Sequence, residues 1–224
     1  MKCVSIIITN HNYGRFLGRC IRSCLDQSLP LSEYEIIIVD DNSDDNSIEV
    51  INSYLHHQNV SCIRLEKNMG VSYASNIGIR RAISPYVIRV DADDYINHNT
   101  LLIFSEILKW NSDISFVYGD IIRVNDKEEK CERINTNSIN NLFKHGAGIM
   151  FRKSCLEAVG LYDESIRNAE DFDLILRVMK NFDGYHVKLP TYRYYRHDNN
   201  MTNDLNARED WEQLVNNKHG VNIL

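Results

Sequence analysis

The sequence has few prolines, no cysteine pair of the metal-binding or redox type, no excess of basic residues and no long apolar run. Only three prolines occur among 224 residues, so long stretches can form regular structure. The six cysteines include no CxxC pair and no histidine at zinc-finger spacing. We therefore expect them to be reduced and to act as small apolar residues.

The charge and the hydropathy pattern exclude further classes of protein. A formal net charge of −6 argues against a nucleic-acid-binding protein, which would normally have a basic face, so no nucleic-acid partner is predicted. The absence of an 18-residue apolar run predicts no transmembrane helix, and the start "MKCVSIIITNHN" becomes polar too early for a signal peptide. The expected location is the cytoplasm.

What the sequence does contain is a regular alternation of apolar runs and helical patterns, with 43% hydrophobic residues in total. That content can bury one sizeable core, which predicts a single domain over residues 1–224, or one domain with a small extension. Strand followed by helix predicts an α/β fold with an open, mainly parallel sheet flanked by helices. The polar segment 123–141 is predicted to be a loop. The predicted strands are 3–9, 34–40, 60–66, 86–91 and 114–120, and the helical patterns lie within 16–25, 48–55 and 101–108.

Two of the predicted strands end in acidic residues. The second ends as "VDDNSDDNS" and the fourth as "VDADD". In an open parallel sheet, ligands bind at the carboxyl ends of the strands. This edge is therefore the predicted site, and its acidic residues are Asp40, Asp41, Asp91, Asp93 and Asp94.

Helix capping is the competing interpretation of these acidic residues. The stretch 44–46 precedes an apolar helical pattern, and Asn46 with Glu49 fits a capping box, so capping and ligand binding both remain open there. Asp40 and Asp41 come too early to cap that helix. The carboxylates of "DADD" likewise lie five or more residues before the helix predicted near Asn99.

Three carboxylates within four positions repel one another, and a divalent cation would relieve the repulsion. Hard oxygen ligands with no cysteine nearby favour Mn²⁺ or Mg²⁺ over Zn²⁺. Mg²⁺ usually binds through one or two carboxylates together with substrate phosphates. The sequence therefore predicts a divalent metal and a nucleoside diphosphate at this edge.

Five segments in order carry a resemblance to a known family. They are "VSIIITNHNYGRFLGRCIRSCLDQS", "IIIVDDNSDD", "NMGVSYASNIGI", "VIRVDADD" and "GAGIMFRKSCLEAVGLYDESIRNAEDFDLILR". Over about residues 3–202 the chain resembles family 2 glycosyltransferases of the GT-A fold. The resemblance implies a Rossmann-like nucleotide-sugar-binding half (1–120), an acceptor and catalytic half (121–204) and a C-terminal tail (205–224). It also implies inverting, metal-dependent transfer of a sugar from a nucleoside diphosphate sugar to an acceptor hydroxyl.

The resemblance assigns roles to the "DADD" residues. Asp93 is the expected main metal ligand, and Asp91 is expected to contact the ribose or the metal. Asp94 is expected to support the loop or a sugar hydroxyl. In the late segment "YRYYRHDNNMT", His197 is expected to complete the metal or diphosphate shell.

The nucleoside contacts follow from the same resemblance. Asp41 matches the position that reads the base, where a carboxylate can accept the N3–H of uracil, which predicts a UDP-sugar. Thr9, Asn10 and His11 match the turn that lies against the base and ribose. His11 stands where the family often has an aromatic residue.

The segment "NAEDFDLILR" (168–177) supplies two carboxylates directly before a helical pattern. From the residues alone, Glu170 and Asp171 complement a helix N-terminus as readily as they serve catalysis. The resemblance favours catalysis, with Asp171 as the general base and Glu170 orienting the acceptor.

Other residues have two interpretations each. Arg193 and Arg196 could meet phosphate oxygens. The glycines Gly146 and Gly148 let the backbone approach the sugar or the acceptor, or they mark an ordinary turn. In the tail, one helical face carries Trp211, Leu214 and Val215; we expect this face to pack on the core of the domain, the alternatives being a membrane or a second subunit.

Resemblance to bacterial members points to polysaccharide synthesis, with a glycan or lipid-linked acceptor (an envelope polysaccharide or a lipid-linked oligosaccharide) or a glycoprotein. If the face of the tail met a membrane, the protein would lie peripherally on its inner face. A sugar nucleotidyltransferase would need a glycine-rich phosphate loop with a basic residue after the first strand, whereas "TNHNYGRFLGR" has two scattered glycines. A non-catalytic nucleotide-sugar-binding protein would have no use for both the acidic cluster and residues 170–171. Both remain as alternatives to a transferase.

Overall fold

The computed structural model describes residues 2–125, 127, 129–137, 146–198, 200 and 205–221. Nine strands in this part of the chain form one mixed sheet in the order β3-β2-β1-β4-β8-β6-β9-β5, and β7 pairs with β6. The strands are β1 Val4–Asn10, β2 Tyr34–Asp40, β3 Val60–Arg64, β4 Tyr86–Asp91, β5 Tyr95–Ile96, β6 Ile114–Val124, β7 Lys130–Ile134, β8 Met150–Arg152 and β9 Asp183–Tyr195.

Helices cover both faces of this sheet. One apolar layer packs β1, β2 and β4 against α1, α2 and α4, and the other packs the opposite face against α3, α5, α6 and α7. The predicted α/β sheet flanked by helices is thus confirmed. The helices are α1 Gly14–Leu25, α2 Ser47–Asn52, α3 Val71–Arg81, α4 Thr100–Trp110, α5 Lys153–Ala158, α6 Glu170–Met179 and α7 Leu205–His219.

The first four strands of the sheet order are parallel and bring their carboxyl ends to one edge. Strand β1 lies between β2 and β4, and all seven of its residues are buried because helices cover both faces. The register pairs Asn10 with Asp40 and Thr9 with Asp91. The ends of three strands that the sequence analysis singled out therefore lie side by side.

Strand β4 is where the sheet changes direction. It runs parallel to β1 and antiparallel to β8, and β8 is antiparallel to β6. Strand β6 then pairs in parallel with β9, from Ile114–Asp183 to Val124–Tyr195. Because β9 also pairs with β5, which directly follows the "DADD" turn, the chain after residue 192 returns to the acidic edge.

Helix α3 was not predicted, although its sequence belongs to the segment "NMGVSYASNIGI". Its buried face consists mostly of small or polar residues, Ser72, Ser75, Asn76 and Gly78, with Ile79 as its large apolar residue. The small side chains allow close packing, since a Cβ on Gly78 would collide with Ile7. The apolar periodicity that predicts helices is therefore weak in this helix.

The predicted loop 123–141 is partly wrong. Strand β6 continues to Val124, and β7 pairs antiparallel with it. Four of the five residues of β7 are exposed, so its composition is that of a loop although its backbone is extended. Residues 138–141 of the predicted loop lie outside the described residues.

Three smaller predictions also need correction. Strand β3 is partly exposed and not buried on both faces, because it lies at the end of the sheet order. Leu55 lies beyond the end of α2 and is exposed. Asn46 makes no side-chain capping hydrogen bond, so the predicted capping box does not form; Asp45 instead accepts the backbone N–H groups of Ser47 and Gly14.

Helix α7 packs against α6 through one apolar face and one ionic cluster. Val215 is fully buried and Trp211 packs beside it, whereas Leu214 is 45% exposed. The tail therefore packs on the core of the domain, as expected. The ionic contacts, called the Asp173 cluster below, join the fully buried Asp173 of α6 to Arg177, Lys218 and His219 at 2.7–2.8 Å. No helix in the described ranges combines the length and apolar character needed to cross a bilayer.

Candidate active site

A cleft of about 390 Å³ opens at the carboxyl edge of the parallel strands. It brings together the residues given catalytic or binding roles, except His197, which contacts one of them. Thus residues from opposite ends of the sequence share one cavity. The predicted residues that line it are Thr9, Asn10, His11, Asp41, Asp91, Asp93, Glu170 and Asp171. Asp40 of the predicted acidic edge does not line the cleft: it is fully buried and accepts hydrogen bonds from Asn10 and Ser43.

Asp41 and His11 form one end of the cleft with the loop before α3. The two carboxylate oxygens of Asp41 accept the backbone N–H groups of Met69 and Gly70, each at 2.7 Å. Nδ1 of His11 donates to the Asp41 carbonyl at 2.8 Å, and its Nε2 accepts from Asn68 at 2.9 Å. This pattern assigns the neutral, Nδ1-protonated tautomer to His11. Each Asp41 oxygen keeps a second lone pair for a ligand.

Asn10 presents an unsatisfied acceptor at the same end of the cleft. Its Nδ2 donates to Asp40 at 2.8 Å and to Ser43 at 3.0 Å. Its Oδ1 is buried and, within the described ranges, has no hydrogen-bond partner. Buried polar atoms are normally satisfied, so this oxygen is suited to an N–H or O–H group of a ligand.

Asp93 lies at the centre of the acidic turn, against the chain that follows β9. Its Oδ2 is 3.0 Å from Nε2 of His197 and 3.2 Å from Nδ2 of Asn200. The imidazole of His197 stacks on Phe16 with ring centroids 4.3 Å apart. His197 therefore lies beside Asp93, and its Nε2 would have to leave this contact to bind a metal, so its role as a ligand stays a prediction.

Asp94 supports the loop, which is one of its two expected roles. It is 2% exposed, and its Oδ1 accepts the backbone N–H of Tyr195 at 2.8 Å. Burial first, then the charges of Asp93 and Asp91, raise its pKa well above the ordinary value. Burial also raises the pKa of Asp91 to about 6, with Arg89 opposing the shift. The turn concentrates negative charge, as its sequence indicated.

The opposite wall of the cleft is the first turn of α6. Ala169, directly before this helix, has a φ of 61°, a left-handed conformation that is unfavourable for alanine. Glu170 is 8% exposed, with its Oε1 3.0 Å from the guanidinium of Arg89. The strained turn brings Glu170 and Asp171 to the cleft at the start of the helix.

Asp171 is held through both of its carboxylate oxygens. Arg89 donates to Oδ2 at 2.7 Å, and the Tyr162 hydroxyl donates to Oδ1 at 3.1 Å. Gly146 packs directly against this side chain, since a Cβ there would collide with Asp171. Burial raises the pKa of Asp171 to about 7, with Arg89 opposing and Glu170 adding to the shift. A carboxylate that titrates near neutral pH is suited to accept a proton.

The remaining predicted residues have more local roles. Gly148 has a φ of 75° and packs against the Tyr192 ring, so it serves a turn at that position. Nη1 of Arg193 donates to the Pro190 carbonyl at 3.1 Å. The backbone N–H of Arg196 donates to the Val124 carbonyl, which fixes the chain after β9.

Sequence reasoning gave no role to several residues of the site, among them five polar or charged ones. Arg89, Tyr162 and Asn200 contact the predicted carboxylates, Asn68 contacts His11, and Glu212 of α7 lines the cleft. Only Arg89 had a visible signal, because it is a charged residue in the middle of the apolar strand "YVIRVD". Asn68, Tyr162 and Asn200 lie inside quoted segments, "NMGVSYASNIGI", "GLYDESIRNAEDFDLILR" and "YRYYRHDNNMT", but nothing in those segments singled them out.

The predicted metal ligands do not form a ready-made metal site. Among the described residues, no three or more histidine, cysteine, aspartate or glutamate side chains are grouped to hold a metal ion. The structure does bring Asp93 and His197 together, with Asp91 two residues away. Protein ligands alone therefore do not complete a metal shell here.

Comparison with known proteins identifies the family. The family model "Glycosyl transferase family 2" matches residues 5–160, which is more than half of the chain. The chondroitin synthase of Pasteurella multocida is 28% identical over 228 residues, a match that covers 96% of this chain and 23% of the relative. The chain spans between 18% and 38% of the length of the curated relatives it matches.

Solved structures show the same fold. Staphylococcus aureus TarS (residues 1–349) in complex with UDP-GlcNAc superposes with a TM-score of 0.80 at 19% identity, over 96% of this chain and 65% of TarS. The mannosyltransferase PcManGT from Pyrobaculum calidifontis, in complex with GDP-Man and Mn²⁺, gives a TM-score of 0.71 at 16% identity, over 96% and 63% of the two chains. The mixed, mostly parallel sheet is that of GT-A glycosyltransferases. With the match over residues 5–160, this chain belongs to glycosyltransferase family 2.

Proposed function

We propose that this protein is a metal-dependent, inverting glycosyltransferase that moves a sugar from a nucleoside diphosphate sugar, preferably a UDP-sugar, to a hydroxyl of a glycan or lipid-linked acceptor in surface polysaccharide synthesis. Residues 1–120 bind the nucleotide sugar, and residues 121–204 supply the acceptor side and the base. The single observation that carries the proposal is the cleft in which Asp91 and Asp93 lie on one wall and Asp171 on the other. A binding protein would need only the first wall.

The nucleoside end of the cleft supports a uracil-type base. Asp41 offers carboxylate lone pairs beside the unsatisfied Oδ1 of Asn10. Both atoms are acceptors, which complements the N3–H of uracil and the hydroxyls of ribose. The relative TarS, whose structure contains UDP-GlcNAc, makes a UDP-sugar the first one to test.

The residues of the acidic turn fit a divalent cation. Within the described ranges, both hydrogen bonds to the Asp93 carboxylate use Oδ2, and none reaches Oδ1. Hard carboxylate oxygens suit Mn²⁺ or Mg²⁺. Among the described residues the protein supplies too few ligands to close the coordination shell, which suits a cation that also binds a diphosphate. Asp93 with Asp91 would hold the metal, and His197 would complete the shell. A metal there would stabilise the negative charge that develops on the leaving diphosphate.

The residues of the other wall carry the proton transfer. An acceptor hydroxyl loses its proton as it attacks the anomeric carbon, and Asp171 is the base that takes it. Its pKa of about 7 leaves it partly ionised at neutral pH, with enough basicity for the task. Glu170, fixed by Arg89, orients the acceptor. An inverting reaction requires the acceptor hydroxyl to attack from the side opposite the diphosphate, which is the role proposed for this wall.

A screen of nucleotide sugars tests the proposal. The purified protein is incubated with UDP-, dTDP-, GDP- and CDP-sugars, with and without Mn²⁺, and release of the nucleoside diphosphate is measured. We expect metal-dependent release from a UDP-sugar, faster when an acceptor glycan is present. Tight binding of the sugar nucleotide without any release would instead favour a binding protein, and release of pyrophosphate from a nucleoside triphosphate would favour a nucleotidyltransferase.

The metal is tested with Asp93→Asn, using Asp113→Asn in the exposed turn after α4 as the control. We expect Asp93→Asn to fold, to bind UDP more weakly in the presence of Mn²⁺ and to lose nearly all transfer. If calorimetry gave an unchanged Mn²⁺-dependent UDP affinity in the folded variant, the role of Asp93 would be wrong. The cytoplasmic location and the peripheral membrane contact stay predictions.

A further inference from the structure

Arg89 is a charged residue in the middle of the apolar strand β4, at a position where the pattern of the strand predicts an apolar side chain. Strand β4 directs Ile88 and Val90 to one apolar layer of the protein, while Val87 packs in the opposite layer. Arg89 shares the face of Val87 and is 7% exposed. Burial of a charge is costly unless it is paired and hydrogen-bonded. The partners of Arg89 must therefore account for its presence.

Those partners lie on both walls of the cleft. Nη1 of Arg89 is 3.0 Å from Oε1 of Glu170, and Nη2 is 2.7 Å from Oδ2 of Asp171. Nε is 3.1 Å from Oδ1 of Asp91, although its alignment is too poor for a hydrogen bond. One guanidinium thus joins the first turn of α6 to the end of its own strand.

Charge balance alone does not explain this arrangement, because one positive charge faces three carboxylates. A lysine at position 89 would carry the same charge. Its single ammonium could not reach all three carboxylates from separate nitrogens, as the planar guanidinium does. The arginine therefore adds a fixed orientation of each neighbouring carboxylate, which a lysine would not provide.

The direction that matters most is that of Asp171. Its two oxygens are bonded to Arg89 and to Tyr162, and the Arg89 guanidinium lies 5.3 Å from the centre of the Tyr162 ring. The helix that carries Asp171 begins after the strained Ala169. The orientation of this carboxylate is therefore imposed by strand β4 and by the loop before α6.

We propose that Arg89 is a positioning residue for sugar transfer. Acting through Asp171, with Tyr162 as the second support, it fixes the proposed base on the acceptor wall, which is the first turn of α6, relative to Asp91 on the opposite wall. This inference rests on the proposed function. Arg89 is needed for the attack of the acceptor and is dispensable for binding of the nucleotide sugar. A displacement of about 1 Å at a reacting group can cost about 10²-fold in rate.

The variants Arg89→Lys and Tyr162→Phe test this role. Arg152→Lys is the matched control, because Arg152 is an arginine of the neighbouring strand β8 whose guanidinium donates to the carbonyls of Leu108, Asn111 and Ile114. We expect kcat to fall about 10–100-fold in Arg89→Lys and about three- to tenfold in Tyr162→Phe, which loses one hydrogen bond. The Kd for UDP-sugar should stay within about twofold, and Arg152→Lys should change only the melting temperature.

A double-mutant cycle shows whether Arg89 acts through Asp171. In an Asp171→Asn background, Arg89→Lys and Tyr162→Phe should cause almost no further loss of kcat, because the group that they position is gone. Tyr162→Phe keeps the aromatic ring, so the cycle can be completed even if Arg89→Lys does not fold.

Three results would overturn the inference. The first is additive losses in the cycle, which would mean that Arg89 and Tyr162 act independently of Asp171. The second is a weaker Kd for UDP-sugar at unchanged kcat, which would assign Arg89 to Asp91 and to binding. The third is an Arg89→Lys variant whose kcat falls no further than that of Arg152→Lys when the two variants lose the same amount of melting temperature. An inactive wild-type protein would instead refute the proposed function, so the two failures are distinguishable.

Discussion

The two walls of the cleft are constructed in different ways. On the nucleotide wall, Thr9, Asn10 and Asp41 lie at or directly after the ends of parallel strands, where the sheet register fixes them. On the acceptor wall, Asp171 lies at the start of a helix and is fixed by side chains from β4 and from the loop before α6. The positions of the residues on the nucleotide wall thus depend on backbone pairing, whereas the position of Asp171 on the acceptor wall depends on a few side-chain contacts.

This difference corresponds to the division between binding and catalysis that we propose. The match to the family model covers residues 5–160, which include the nucleotide wall, whereas Glu170 and Asp171 lie beyond it. We keep as a proposal that 1–120 bind the nucleotide sugar and that 121–204 provide the acceptor side. From this division we expect changes on the nucleotide wall to alter affinity for the nucleotide and changes on the acceptor wall to alter turnover.

The largest effect is expected from Asp171→Asn, which tests whether the acceptor wall acts in turnover rather than in binding. General-base assistance is worth about 10²–10⁴ in rate, so kcat should fall on that scale while nucleotide and metal affinity stay unchanged. Asparagine is also well tolerated at the start of a helix, so the melting temperature should change little. Turnover, UDP-sugar affinity and melting temperature are measured on one preparation.

The control for this variant is Asp163→Asn, an aspartate in the same loop-and-helix segment that pairs with Lys218 outside the cleft. It should lower stability slightly and leave kcat unchanged. A stable Asp171→Asn protein with wild-type transfer rates would show that Asp171 merely complements the dipole of α6.

Nucleotide choice tests the other wall. A carboxylate at Asp41 accepts the N3–H of uracil or thymine but faces an acceptor in the unprotonated N3 of cytosine. One hydrogen bond to a charged group is worth about 1.5–3 kcal/mol, so UDP and dTDP should bind about tenfold or more tightly than CDP. Calorimetric titration with the three diphosphates measures this preference.

The exposed neighbour Asp44 provides the control for nucleotide choice, because it lies three residues after Asp41. Asp44→Asn should preserve the order of affinities. Equal or tighter binding of CDP by the wild-type protein would contradict the assignment of Asp41.

The smallest effect on function is expected from the Asp173 cluster, which joins α6 to α7 behind the acceptor wall. Although burial alone would raise it, hydrogen bonds from Lys218 and His219 and the charge of Arg177 lower the pKa of Asp173. Asp173→Asn should lower the free energy of unfolding by about 1.5–3 kcal/mol, the range for hydrogen bonds to charged groups. Transfer should change less than tenfold.

The pH dependence of that loss has a definite sign. Because the folded-state pKa of Asp173 is lowered, its contribution is complete above the ordinary carboxyl pKa of about 3.9 and disappears as the pH falls through the lower folded value. The melting curves of wild type and Asp173→Asn should therefore converge below about pH 3.9. The control is Asp210→Asn, on the exposed side of α7. Its melting temperature should equal that of the wild type both above and below about pH 3.9.

The nucleotide wall could be predicted from the sequence, and the reason is physical. Strands β2 and β4 begin and end where the apolar runs do, because a strand covered on both faces must be apolar throughout. An acidic residue directly after such a run must lie at the sheet edge. Asp41, Asp91 and Asp93 therefore lie in the cleft as expected.

The acceptor wall could be predicted only in part. The position of Asp171 before a helix was visible, but its partners come from residues 89 and 162, and no local pattern links such distant positions. Strand β7 and helix α3 were missed because their residues are polar or small and lack the expected periodicity. Contacts between distant charged and polar groups are the information that a single sequence does not display.

The pairing of β6 with β9 has a consequence for the order of folding. It joins Ile114 to Asp183 and Val124 to Tyr195, about 70 positions apart, whereas β1 and β2 pair residues about 30 positions apart. Pairing over longer separations is slower, and a chain under synthesis folds from its first residues onward. The strands of the nucleotide wall can thus assemble while residues 183–200 are still being made. His197 and Asn200 reach Asp93 only afterwards, so a refolding protein should pair strands β1–β4 before it recovers the proposed metal-dependent nucleotide binding.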